Sequence, residues 1–256
     1  TEIYTLSLHD ALPILVERIN HVTGQAETRE QWLARQRAEC IDEEQWQQEY
    51  CCTPADDNAA FMPWEMIIAC EGTDTLKSLD YLRTTDNPLY LGMDVARKTD
   101  LTVIDVGEQI GDVIWDRQRI ELKGKTFAEQ EQVLYDLLAL PKLHRACIDS
   151  TGLGAQLAER AREKYGWKVE PIVFTQQVKE SLAFNLRTVF EDRRLRLNPS
   201  PALRSDLRGI RKETTAANNI RFVGESDDSH CDRFWALALR EHARKRPAVS
   251  AFAVAA

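Results

Sequence analysis

Three aspartates, Asp94, Asp149 and Asp232, stand where a carboxylate needs a reason to be. Asp94 lies inside "LYLGMDV", a short apolar run that reads as a β-strand, and a carboxylate buried in a strand without a partner costs several kcal/mol. Asp149 ends a second run, "RACIDS", just before the turn "TGLG", and Asp232 opens the helical stretch "HCDRFWALALREHARK". A fold that brings the three together cannot leave them all ionised without a counter-charge, because like charges raise one another's pKa. Divalent metal supplies that charge. Hard oxygen ligands with open water positions suit Mg2+ or Mn2+, and two such ions about 3.5 to 4 Å apart activate a water and stabilise the leaving oxygen in phosphodiester cleavage. Each residue also has an ordinary use: Asp94 as acceptor for the "ARKT" turn, Asp149 as a shaper of a strand-to-helix turn, Asp232 as a charge favoured at any helix N-terminus. Their joint placement favours the metal site. Asp100 and Asp105 read as turn and strand-edge residues, with Asp100 a candidate for a supporting role.

The elements that must position these residues follow from hydrophobic period and turn chemistry. Strands are expected at 89 to 95 and 101 to 107, then "DVIWDRQRIEL" after a turn at Gly111, forming an antiparallel meander. A helix follows at about 126 to 139, the strand "RACIDS", a helix at about 154 to 165, the strand "VEPIVFT" and a helix at about 177 to 192. After the connection "LRLNPSP" come a helix to about 212, the β segment "NIRFVG" and the helix that carries Asp232, with Trp235, Leu237 and Leu239 in the core and one face buried. The expected class is α/β: a mixed sheet with helices on both faces, in the βββαβαβα order of the ribonuclease H-like fold. Before residue 89 the chain reads as a mostly helical linker, with a helix capped by Thr28, a second in "DEEQWQQEY", and Asn87-Pro88 at its end.

The expected organisation is therefore a leader at 1–14, a linker at 15–88, a catalytic domain at 89–246 and a tail at 247–256. The opening "TEIYTLSLHDALPI" starts with Thr1 and resembles translated sequencing-adapter read-through. A net charge of −8 argues against nucleic acid, but the charge is graded along the chain. Residues 1–88 hold 17 acidic against 6 basic side chains, whereas residues 176–256 hold 15 basic against 10 acidic. A C-terminal basic surface can thus track a phosphate backbone, with Lys179, Arg187, Arg194, Arg196 and His230 as candidate contacts. The six cysteines form no C-x-x-C pair and no zinc-like Cys/His spacing, which points to reduced thiols in a cytosolic protein. No apolar run is long enough to span a bilayer, so a membrane partner is not expected.

In "GMDVARKTDLTVI", "CIDSTGLGAQLAE", "VFTQQVKESLAFNLRTVFEDRRLRL" and "HCDRFWALAL", in that order, the chain resembles the nuclease domain of the large terminase subunit of tailed phages, most like the Mu-type prophage branch. The stretch "EEQWQQEYCCTPADDNAAFMPWEMI" resembles what precedes that nuclease. The resemblance implies a ribonuclease H-like endonuclease that uses two Mg2+ or Mn2+ ions to cut concatemeric double-stranded DNA, with Asp94, Asp149 and Asp232 matching the acidic metal positions. It also implies an ATPase half, a portal protein and a small terminase subunit as partners, and the host cytoplasm as location. A large terminase carries an ATPase motor, but this chain has no G-x-x-x-x-G-K-[ST], so the motor is expected to be missing from it. A junction resolvase would use the same carboxylates, a phosphotransferase would use "DSTGLG" to hold phosphate, and a non-catalytic docking module would leave the site idle.

Overall fold

Alternation along "LYLGMD" decides which side of the sheet carries chemistry. In β1 (Leu89–Asp94), Leu89, Leu91 and Met93 point into one core, leaving Tyr90, Gly92 and Asp94 for the opposite face. The computed structural model describes residues 28–39, 46, 60–95, 101–214, 220–224 and 231–245, in two units, Thr1–Ala59 and Ala60–Ala256. The first unit contains helix α1 (Arg29–Glu39). Thr28 caps it as expected, its hydroxyl accepting the Gln31 N–H at 3.3 Å while the Gln31 side chain accepts the Thr28 N–H at 3.0 Å. The helix expected in "DEEQWQQEY" lies, apart from Trp46, outside the described residues, as do residues 1–14 and 247–256.

In the second unit β1 pairs antiparallel with β2 (Leu101–Ile110), and β2 with β3 (Val113–Lys123), giving the expected meander around Gly111. β4 (Leu143–Asp149) lies parallel to β1, and β5 (Val169–Ile172) parallel to β4. The two-residue β6 (Leu195–Arg196) adds to β3, within a stretch read above as a connection, and the sheet order is β5-β4-β1-β2-β3-β6. One face is covered by α4 (Phe127–Leu138) and α5 (Gly154–Tyr165), whose leucines and alanines pack on Leu91, Met93, Ile104 and Val106. The other carries α6 (Gln176–Glu191), α7 (Pro201–Gly209) and α8 (Asp232–Lys245), which share a second core with Ile114 and Cys147.

Two readings are corrected here. The helix expected to reach about 212 ends at Gly209, and Ile210–Thr214 instead form β7, paired antiparallel with β8 (Ile220–Gly224). Helix α8 is not half-exposed: every side chain from Phe234 to Glu241 is buried, because the helix lies between the sheet and its neighbours α6 and α7.

Residues 60–88, taken above as part of the linker, are fixed to this unit. They include α2 (Trp64–Ala69) and α3 (Leu79–Thr84). Phe61 meets Phe222 and Phe184 edge-on at 4.7 and 5.6 Å, and Glu71 binds both ends of the Arg204 guanidinium at 2.6 Å. Farther on, buried Glu108 accepts hydrogen bonds from Tyr81, Thr85, Asn87 and Arg117. Burial pushes its carboxyl up, but these donors outweigh burial and hold it below the ordinary glutamate range.

The seat of α8 on the sheet is set by a glycine and an arginine. A Cβ at Gly92 would lie 2.0 Å from the Ala236 carbonyl oxygen and 2.3 Å from the Arg240 nitrogen, so only glycine lets the helix backbone rest on β1. Arg240 is fully buried and ion-pairs with Asp105, with Asp116 at 2.6 Å and with Glu241 at 3.0 Å. Arg119 bonds the same two aspartates at 2.9 and 2.6 Å, and Arg244 closes on Glu241 at 3.0 Å, so three cations balance three anions. Burial pulls the Arg240 guanidinium down, yet the surrounding carboxylates outweigh that and hold it above its ordinary value. Asp105 is therefore no strand-edge residue. It faces inward because it stands opposite Gly92 in the ladder, under a helix residue 135 positions away.

Gly92→Ala is expected to lower unfolding free energy by about 3 kcal/mol or more through overpacking. Arg240→Met, which strands two buried aspartates, is expected to cost about 3 to 5 kcal/mol. Urea unfolding of each variant checks both, and a wild-type midpoint for either would show that α8 is not held this way.

Candidate metal centre

The ladder brings two of the three predicted carboxylates side by side. Met93 is the register partner of Ile148 in the parallel β1–β4 pair, so the next residues, Asp94 and Asp149, end adjacent strands about 4.8 Å apart and project to the same face. Both are buried. Helix α8 then runs back over β1, with Ala236 and Arg240 against Gly92, which places Asp232, one turn before Ala236, at the Asp94 end of the strand. Asp232 is half-buried and is the first residue of its helix, where the backbone N–H groups favour a negative charge.

Of the three, Asp94 feels the charges of the other two. The Asp94 carboxyl is held well above the ordinary aspartate range, first by burial, then by the charges of Asp232 and Asp149, with Lys179 working against these and Asp206 adding to them. Asp149 is raised by burial, opposed by hydrogen bonds from Thr151 and by Lys179. Its Oδ1 accepts the Thr151 N–H at 2.9 Å, so Asp149 also shapes the strand-to-helix turn. That turn is tight: Gly152 has a φ of +60°, and a Cβ at Gly154 would lie 2.2 Å from the Asp149 carbonyl oxygen. Burial presses Asp94 and Asp149 toward protonation, and neighbouring carboxylates add to this at Asp94; oxygen donors from separate elements in such a setting fit a divalent cation, which would relieve both effects.

Lys179 stands in the first turn of α6, whose N-cap Thr175 accepts the Val178 N–H at 3.2 Å. Its ammonium lies 4.6 Å from the Trp235 ring centre and 5.2 Å from that of Phe174, and acts on Asp94 and Asp149. The other proposed basic contacts are engaged within the protein. Arg187 bonds Glu191 at 2.8 Å and the Phe61 carbonyl at 2.9 Å, Arg194 pairs with Asp192, and Arg196 donates to the Arg193 and Leu195 carbonyls at 2.9 and 2.7 Å. His230 and Asp100 lie outside the described residues.

Sequence reasoning missed Asp206, in α7. It accepts the Arg233 N–H at 2.9 Å and pairs with the Arg233 guanidinium at 3.3 Å, while Arg233 also binds both oxygens of Glu121 at 2.7 Å. This strap anchors the residue next to Asp232 to α7 and β3. The available signal was that Asp206 is the one acid in the basic stretch "ALRSDLRGIRK".

Residues 91–243, well over half the chain and spanning all three aspartates, match the family described as the terminase RNaseH-like domain. The chain belongs to that family. Among its relatives, the chain is 30% identical over 201 residues to the Mu-like prophage FluMu protein gp28 of Haemophilus influenzae, covering 64% of this chain and 39% of the relative. The probable terminase large subunit gp28 of Escherichia phage Mu is likewise 30% identical, over 203 residues, with 64% of this chain and 37% of that protein covered. This chain thus spans less than half the length of these two relatives. The crystal structure of the large terminase nuclease from thermophilic phage G20c with bound magnesium shares the fold, at a TM-score of 0.52 and 24% identity, covering 61% of this chain and 82% of the G20c nuclease. The ribonuclease H-like class expected from element order is the terminase nuclease fold.

A raised folded-state pKa at Asp94 means the native state binds a proton there more tightly than the unfolded chain. Stability from this group is therefore full below the ordinary aspartate pKa and lost as pH rises through the raised one. In EDTA, Asp94→Asn is expected to melt above the parent at pH 7, with the gap closing as pH falls toward 4. Thermal melts across that range test it; a gap independent of pH would show that Asp94 carries no such burden.

Proposed function

We propose that this chain is the endonuclease part of a terminase large subunit, cutting concatemeric double-stranded DNA during genome packaging by metal-dependent phosphodiester hydrolysis. What supports the reading is the adjacency of Asp94 and Asp149 at the ends of β1 and β4, with the charge of Asp232, carried on the helix seated at Gly92, acting on Asp94. Asp94 and Asp149 would hold the ions from the rigid ends of two central strands, and Asp232 would close the ligand set from the helix. When bound, two Mg2+ or Mn2+ ions supply an activated water and a charge clamp on the leaving oxygen. Asp206 and Glu121 keep Arg233 in place and so orient the helix start at Asp232. Lys179, held over two aromatic faces, would meet the scissile phosphate, a point charge beside the carboxylates. Arg187, Arg194 and Arg196, whose present partners lie within the protein, are weaker candidates for backbone contacts than Lys179, and His230 would add one at the entrance to α8.

The magnesium-bound G20c nuclease supports the choice of a hard divalent ion. By the same reading the working assembly joins this domain to an ATPase half, a portal protein and a small terminase subunit, in the cytoplasm of the bacterial host. No helix among the described residues is long and apolar enough to cross a membrane.

Supercoiled plasmid incubated with the chain and Mn2+ or Mg2+ is expected to be nicked and linearised, and EDTA to stop it. Asp94→Ala, Asp149→Asn and Asp232→Asn should each cut the rate at least about 100-fold, since losing even an outer partner of a metal ligand costs about 10- to 100-fold. Lys179→Met should act on DNA cleavage while leaving Mn2+ affinity within about twofold. Intact plasmid with every metal, from a folded sample, would replace this reading with a docking module.

A further inference from the structure

A second cluster of donors lies on the same face of the sheet, toward the far end of α8. Cys147 of β4, Glu170 of β5 and His242 of α8 each offer a ligand atom, and these atoms lie within 4.8 Å of one another. Cys147 and Glu170 are register partners on parallel strands, with Sγ 3.6 Å from Glu170 Oε2, while His242 arrives from the helix above them. The thiol is buried and the other two are half-buried, so the cluster has a dry side and a side open to solvent. These residues are distant in sequence, which is why no zinc-like spacing is visible there.

From this geometry we infer that Cys147, Glu170 and His242 form a second metal site, for Zn2+ or a similar borderline-soft divalent ion. One sulfur, one imidazole nitrogen and one carboxylate oxygen are the donor types that tetrahedral zinc takes, with water at the fourth position. Hard ions that suit three aspartates have no preference for such a set, so the two sites differ in chemistry as well as place. Coordination exchanges the Cys147 proton for the metal, and two anionic ligands then neutralise the ion's charge. The Arg145 guanidinium, which pairs with Glu170, remains an outer partner that aims the carboxylate. The site ties the β4–β5 edge to α8 and so braces, from its other end, the helix that carries Asp232.

Co2+ titration of the full chain tests this, because a cobalt–thiolate bond produces a near-ultraviolet charge-transfer band that carboxylate ligation does not. The expected result is one equivalent of Co2+ giving that band, displaced by Zn2+, kept in Asp94→Asn and lost in Cys147→Ser. His242→Ala, which leaves the thiol in place, should weaken Co2+ binding at least about tenfold. In the Asp94→Asn background, Zn2+ should also raise the melting temperature, and the rise should disappear when Cys147→Ser is added. A chain that gives no band, a band that survives Cys147→Ser, or unchanged affinity in His242→Ala would overturn the assignment. Loss of plasmid cleavage in Asp94→Asn with the band intact would separate this site from the proposed nuclease centre.

Discussion

The close approach of α8 to β1 at Gly92 is the constraint on which the rest of the structure depends. A helix normally stands off a sheet by the length of the side chains between them. Here a backbone carbonyl and a backbone nitrogen of α8 occupy the space a β-carbon would take. Two helical positions of one stripe, Ala236 and Arg240, flank that contact, and Asp232 is one turn further along the same stripe. The packing of the helix thereby carries the third carboxylate to the Asp94 end of β1.

Arg240 fixes the rotation of the helix as Gly92 fixes its height. An apolar contact could slide, but a guanidinium set between Asp105 and Asp116, with Arg119 behind them, has one arrangement that leaves no charge unmatched. Buried ion clusters of this kind are a weak source of net stability and a strong source of register. That suits the proposed metal site, whose three aspartates come from two strands and one helix and would have to agree in position to a fraction of an ångström.

Much of this was legible in the sequence, and the limits have a physical pattern. Period-2 alternation placed Asp94 and Asp149 in strands, and apolar spacing placed α5 within residues 154–165, because these signals are local. The stretch from 201 to 214 was harder: its basic residues suit either element, and Ile210–Thr214 become a strand only because 220–224 is there to pair with them. Buried charge was invisible for the same reason. Asp105 has an unremarkable neighbourhood, and its meaning lies in Arg240, while Asp206 acquires a role only when Arg233 and Asp94 come near it. The segment from 60 to 88 reads as a linker or appendage whose mix of turn and apolar residues suits a stretch draped on a neighbouring surface, and Phe61, Met62 and Ile67 go further and join the core.

The order of elements along the chain adds a consequence for how the molecule is made. Any stretch of the chain that ends before α8 holds the sequence of β1 to β6 but leaves Gly92 uncovered and Asp105 and Asp116 without Arg240. Such a stretch also lacks Asp232, and with it the charge that acts on Asp94. Completion of the core and arrival of the third carboxylate therefore fall to the same, last helix.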